Sequence, residues 1–165
     1  METSEKGIKF LIKEEGKRNE AYLDIIGIPT IGCGFTYYYQ TKNDFNKGIK
    51  TKVQLGMVMD DEQIETQLTY ILKDFETALN KQPYANQLIQ ERYDACISLM
   101  FNIGITAFTT KTLNKSLKDF YAGGETTLKT IENNWLAWQN AGSKKGILLP
   151  RRKREFKLFI LQEYV

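Results

Sequence analysis

Apolar positions along the chain repeat mainly at helical spacing. Ile8, Leu11 and Ile12 form an i, i+3, i+4 stripe, which predicts a helix from Ser4 to Glu15. Ser4 suits its N-cap and Gly16 its stop. Continued by three residues, the stripe reaches Glu15, so a carboxylate is expected at the end of the buried face. From Ala21 to Phe35 the pattern changes. β-branched and aromatic residues punctuated by glycine read as a small hairpin. Tyr37–Val53 is polar with scattered aromatics and reads as loop or short strand. Ile64, Leu68, Ile71, Leu72, Phe75, Ala78 and Leu79 predict a long helix, capped by Asp60 or Asp61 and running to about Lys81 before Pro83. A second helix over 86–102 is apolar on nearly every side near its end, as a central core helix must be. Shorter helices are expected over 106–108, 112–121 and 126–139. A final helix opens at Pro150.

These elements predict an α+β fold: a small N-terminal lobe with a β-hairpin over about 14–60, a connecting helix over about 60–81, and a larger helical lobe over about 82–165 against which helix 4–15 packs. No repeat or low-complexity segment is present.

Composition narrows the chemistry. Among 165 residues there is no histidine. That excludes Ser-His-Asp and Cys-His catalysis and histidine pH switches. Two cysteines cannot make a four-cysteine zinc site; Cys33 and Cys96 read as reduced, buried apolar groups, although a disulfide between them stays open. Carboxylates are left as the leading proton donors and acceptors. The net charge of +3 suits an acidic partner without requiring one. Residues 1–6 lack the features of a secretory signal, and the longest uncharged runs are too short to span a bilayer. A protein made in the cytoplasm is expected, with no metal or other cofactor, no nucleic-acid partner and no stable membrane insertion, acting as a monomer.

Glu15, Asp24 and Thr30 form the first candidate constellation. Burial at the helix end would disfavour the charged form of Glu15, as a general acid needs. Asp24, at a hairpin tip, would stay ionised, and Thr30 on the returning strand could hold a water. Two carboxylates in unlike environments suit glycosidic hydrolysis. The bland alternative is a salt bridge, a turn aspartate and a strand threonine. Other features also read two ways. Arg151-Arg152-Lys153-Arg154 is an anion patch or a solvated helix start. Trp135 and Trp138 are core or sugar platforms. Tyr37-Tyr38-Tyr39 is a binding ridge or ordinary strand surface. Gly32 and Gly34 allow close approach to the backbone or serve the hairpin alone.

Three separated blocks carry a resemblance. Glu15-Gly16, then Asp24 and Thr30-Ile31-Gly32-x-Gly34, resembles the active-site segment of phage-type lysozymes, the muramidases of glycoside hydrolase family 24. Phe101-Asn102-Ile103-Gly104, with Ala107-Phe108 and Thr112-Leu113, is similar to the family's central segment. Trp135, Trp138-x-x-Ala141-Gly142 and Leu149-Pro150-Arg151-Arg152-x-x-Glu155 look like its C-terminal signature. The resemblance covers about 8–160. It implies a lysozyme-like fold and cleavage of the β-1,4 bond between N-acetylmuramic acid and N-acetylglucosamine of bacterial peptidoglycan. Glu15 matches the general acid, Asp24 the second carboxylate and Thr30 the water-positioning residue. Asn102 matches a sugar-binding side chain, Arg152 an arginine reaching the acid, and Phe108 a cleft wall. Gly34 and Phe35 are expected among the substrate-binding residues, Phe35 standing where the family commonly has a histidine that is mainly structural and packed behind the active site. As an endolysin, the protein would wait in the host cytoplasm and reach the wall through a membrane pore. Two rivals are a silent wall-binding scaffold of the same fold and the lytic domain of a toxin.

Overall fold

In the computed structural model, which describes residues 1–164, the fold is α+β and mostly helical. Eight helices occur among the described residues: α1 (Glu5–Glu15), α2 (Lys42–Lys47), α3 (Asp61–Asn80), α4 (Gln90–Ile103), α5 (Ile105–Thr110), α6 (Thr112–Tyr121), α7 (Leu128–Leu136) and α8 (Leu149–Leu161). Two small antiparallel sheets join them: β1 (Arg18–Leu23) with β2 (Pro29–Gly32), and β3 (Tyr37–Tyr38) with β4 (Thr51–Lys52). The described residues separate into two compact units, one of residues 11–71 and the other of residues 1–10 with 72–164.

The hairpin unit, 11–71, begins with the last turns of α1. β1 and β2 pair with Tyr22 opposite Thr30 and Leu23 opposite Pro29. The register breaks between Arg18 and Tyr22. Residues 57–59 lie along β1: Ala21 N donates to Met57 O at 2.9 Å and Met59 N to Asn19 O at 2.8 Å. Leu11, Ile31, Phe35, Val53, Met59, Ile64 and Leu68 are buried and make the unit's core.

The segment 37–53, expected as loop or short strand, contains a helix as well as strands. α2 has a capping box: the Thr41 hydroxyl accepts from Asp44 N at 3.1 Å, while the Asp44 carboxylate accepts from Thr41 N at 3.1 Å. Gly48 closes α2 at φ +68°. A Thr-x-x-Asp start and a glycine stop mark even a two-turn helix. Its apolar content is too low for periodicity to reveal it.

The helical unit is built on α4, whose residues Tyr93 to Met100 are all buried. At roughly 1.5–3 kcal/mol for each fully buried large apolar side chain, this helix supplies a major share of the unit's stability. It starts at Gln90, later than the expected 86, because Ala85–Gln87 forms a separate 3₁₀ turn. Residues 1–10 tie to the same helix. Ser4 caps α1 by accepting from Gly7 N at 3.0 Å, and its hydroxyl donates to the buried Asp94 at 2.5 Å. Tyr164 donates to the same carboxylate at 2.6 Å. A side chain at Gly7 would meet Asp94 at 2.5 Å, so α1 needs glycine there. Both cysteines are free and buried, as their reading as reduced apolar groups anticipates.

The basic start of α8 corrects both earlier readings of it. Arg151 and Arg152 are buried, not a solvated patch. Both grip Glu155, which is itself fully buried: Arg151 Nε donates to Oε1 at 2.9 Å, and Arg152 Nε lies 2.9 Å from Oε2. Ser98 of α4 donates to Oε1 at 2.9 Å, and Trp135 Nε1 of α7 lies 3.4 Å from Oε2. Trp135 is therefore a core residue with a satisfied N–H.

Removing a buried carboxylate from such a cluster strands two guanidiniums away from water. Glu155→Ala should cost about 3–5 kcal/mol, lowering Tm by roughly 6–20 °C. Thermal unfolding followed by circular dichroism measures it, and an unchanged Tm would remove the cluster from any structural role.

Candidate active site

Glu15 is the last residue of α1. Gly16 follows at φ +75°, turning the chain out of the helix and into β1. The Glu15 side chain is half-buried, less enclosed than its place on the apolar stripe suggests. It lines a pocket of about 300 Å³ together with Lys17, Arg18, Tyr22, Cys33 and Gly34. The Arg18 guanidinium lies over the Tyr22 ring, 4.3 Å from its centre. Lys17 reaches the Asp61 carboxylate at 2.6 Å, and with Asn19 holds that carboxyl below its ordinary range. Burial pushes the Cys33 thiol up to about 11, with the charge on Glu15 adding to the effect and Lys17 opposing it.

Lys17, Arg18, Tyr22 and Cys33 were not singled out by sequence reasoning as pocket residues. The available signal was adjacency: β1 starts three residues after Glu15, and β2 pairs with β1.

Asp24 forms the hairpin turn. Its Oδ1 accepts from Ile26 N at 2.9 Å and from Ile28 N at 2.8 Å. Its own N–H donates to Ile28 O at 3.0 Å. The turn reading therefore holds, yet only Oδ1 is committed to it. Thr30 is buried on β2, and its hydroxyl donates to Ile28 O at 3.0 Å. The oxygen lone pairs of Thr30 remain able to accept from a water.

Glu15, Asp24, Thr30, Gly34 and Phe35 thus belong to one compact unit. Gly34 is exposed at φ +90° with open space where a side chain would be. Phe35, expected as a substrate-binding residue, is instead buried in that unit's core. A Cβ built on Gly32 would lie 2.7 Å from the Phe35 ring, so the ring closes over that glycine. The remaining candidates lie in the helical unit. Asn102 is exposed near the end of α4, Phe108 is buried on α5, and Arg152 is buried against Glu155. No group of three or more potential metal ligands occurs among the described residues.

The mostly helical fold with its small antiparallel sheets is of the lysozyme class. The phage lysozyme family profile matches residues 12–155, and the chain belongs to that family. It is 38% identical over 162 residues to the endolysin of Salmonella phage P22, covering 97% of this chain and 99% of that one. The endolysin of Acyrthosiphon pisum secondary endosymbiont phage 1 is 33% identical over 165 residues, covering 96% and 98%. A solved structure of a point mutant of the P22 lysozyme superposes with a TM-score of 0.76 at 36% identity, covering 97% of this chain and 99% of that one. The protein is therefore a lysozyme, a glycoside hydrolase of the muramidase type.

Two predictions follow from the glycine and the cysteine. Gly32 sits at φ +62° under the Phe35 ring. Gly32→Ala should cost about 2–4 kcal/mol from left-handed strain plus overpacking, and Gly34→Ala, with open space around it, less. Urea midpoints of the two variants give the comparison. A Cys33 thiol at about 11, against an ordinary 9.0, carries about one hundredth of the usual thiolate at neutral pH. Iodoacetamide should label it at least that much more slowly than a free thiol at pH 7.5, with the rate climbing toward pH 11. Mass spectrometry of native protein reads both rates.

Proposed function

We propose that the protein hydrolyses the β-1,4 bond between N-acetylmuramic acid and N-acetylglucosamine in bacterial peptidoglycan. Glu15 is the general acid and protonates the glycosidic oxygen as the bond breaks. Asp24 takes the proton of the attacking water through its uncommitted Oδ2, and Thr30 accepts a hydrogen bond from that water to fix its direction. Each carboxylate has one task, and attack by a water that Asp24 activates inverts the sugar carbon. The observation that best supports this reading is the division of labour within Asp24: Oδ1 builds the hairpin turn while Oδ2 is left for chemistry.

Asn102, exposed on α4, is a sugar-binding side chain. Arg152 acts through its neighbours as a positioning residue, and Phe108 and Phe35 support the surfaces from within. No described helix is long and apolar enough to cross a membrane. The protein acts as a phage endolysin, reaching the wall from the cytoplasm through a separately made pore.

Glu15→Gln keeps the shape of the side chain but cannot deliver its proton; it should lower turnover by about 10²–10⁴-fold with folding intact. Asp24→Asn retains the Oδ1 acceptor that holds the turn, so it should fold normally and lose activity to a smaller degree. Turbidity of permeabilised Gram-negative cells, with mass spectrometry of the released ends, measures both. Full activity in Glu15→Gln, or released ends lacking reducing muramic acid, would overturn the assignment.

A further inference from the structure

A second pocket of the hairpin unit lies on elements that the chemistry above does not use. It measures about 320 Å³, the lower end of the range for small-ligand sites, about 300–1,000 Å³. It shares no residue with the pocket beside Glu15. Its walls are β3 and the approach to α2 on one side, and Met57–Met59 with the first turns of α3 on the other.

We propose that this pocket is a non-catalytic saccharide site that takes one N-acetylhexosamine of a glycan chain. The lining chemistry carries the inference. Tyr38, Tyr39 and Tyr70 supply aromatic surface, while Gln40, Gln63 and Thr66 supply amide and hydroxyl groups. A pyranose needs both, because its ring faces are C–H-rich and its edges carry hydroxyls and an acetamido group. Aromatic rings that are apolar in body and polar at the tip meet that mixture well.

The wall is also held in advance of any ligand. Gln67 is buried, and its amide clamps the Tyr39 backbone from both sides: Oε1 accepts from Tyr39 N and Nε2 donates to Tyr39 O, both at 2.8 Å. Tyr39 stands edge-on to Phe45 and Tyr70, at 5.3 and 5.9 Å between ring centres. Phe45 and Tyr70 are stacked 4.5 Å apart at 11°. A fixed wall loses little entropy when a ligand arrives. Gln67 sits in the middle of α3 with both ends of its amide spent on one backbone position, and holding Tyr39 in place accounts for that arrangement.

Charge selects the ligand class further. Lys42 and Glu62 sit on the rim, and neither forms an ion pair among the described residues. Their charges offset one another, and Lys50 Nζ, 6.0 Å from the Tyr39 ring centre, adds a single cation to that wall, too little to select a polyanion over a neutral sugar. The proposal rests on the reading of the protein as a glycan hydrolase. A polymeric substrate offers many copies of the same saccharide, and a second contact on the unit that bears Glu15 turns rebinding into an intramolecular event. The pocket's far wall, Met57–Met59, hydrogen-bonds directly to β1 of the catalytic hairpin.

The test uses the full chain carrying Glu15→Gln, so that ligand is not consumed, and the β-1,4 trimer of N-acetylglucosamine as probe. Amide ¹H–¹⁵N spectra should show saturable shifts at Tyr39 and Gln67, and these should vanish in Glu15→Gln with Thr66→Arg. Thr66 is exposed on α3, so arginine fills the pocket without removing any part of the aromatic cluster. With Glu15 intact, Thr66→Arg should clear whole cell walls several-fold more slowly, yet hydrolyse short soluble wall fragments at the unaltered rate. Shifts confined to residues around Glu15, or no shifts at all, would overturn the proposal, as would unaltered wall clearing by Thr66→Arg. If the pocket titrates while the wild-type protein cleaves no glycan, the catalytic reading fails and the binding site stands.

Discussion

One buried carboxylate organises the helical unit. Glu155 has no access to water, and its charge is met from three helices: by two arginines on its own helix, a serine on α4 and a tryptophan on α7. Burial alone pushes its proton affinity up, and the two guanidiniums pull it back. A charge placed in this way tolerates little movement, because each partner it loses leaves another ionised group dry. The apolar residues of α4 supply most of the burial, but they could pack in several registers; the carboxylate admits one.

The hairpin unit uses hydrogen bonds differently. Its key group, Asp24, is at the surface, and one carboxylate oxygen replaces the backbone partners that a five-residue turn would otherwise lack. A side chain held by local backbone geometry stays aimed without a deep core around it. The contrast explains why the two units can be so unlike in composition of contacts while belonging to one enzyme.

Much of this architecture was legible in the sequence. The 3.6-residue period located α1, α3 and α4 because each has one face or more against a core, and Ser4 and Gly16 marked the ends of α1. The hairpin was visible from its glycines and β-branched residues. α2 escaped because a two-turn helix with no buried residue has no period to read; only its capping box announced it. The site was legible as residue types at given spacings, Glu15 through Asp24 to Thr30, but burial was not. Phe35 was expected among the substrate-binding residues and lies in the core; the paired arginines read as an anion patch or a solvated helix start and are buried. Local sequence carries no record of which strand or helix will cover a residue; that is decided by segments elsewhere in the chain, as α4 covers the start of α8 with Ser98, whose carbonyl accepts from Arg151.

The helical unit is discontinuous, with residues 1–10 completing a body otherwise made of 72–164. During synthesis the first segment exists long before the α4 aspartate that anchors Ser4, or the tyrosine that shares that aspartate. The hairpin unit, by contrast, is continuous and finished early. The order of translation therefore runs opposite to the order of closure: the earliest residues are among the last to find their place, and the unit with most of the buried surface becomes whole only when its sequence-distant ends meet. Such long-range closure slows folding, because the intervening chain must be ordered before the contact rewards it.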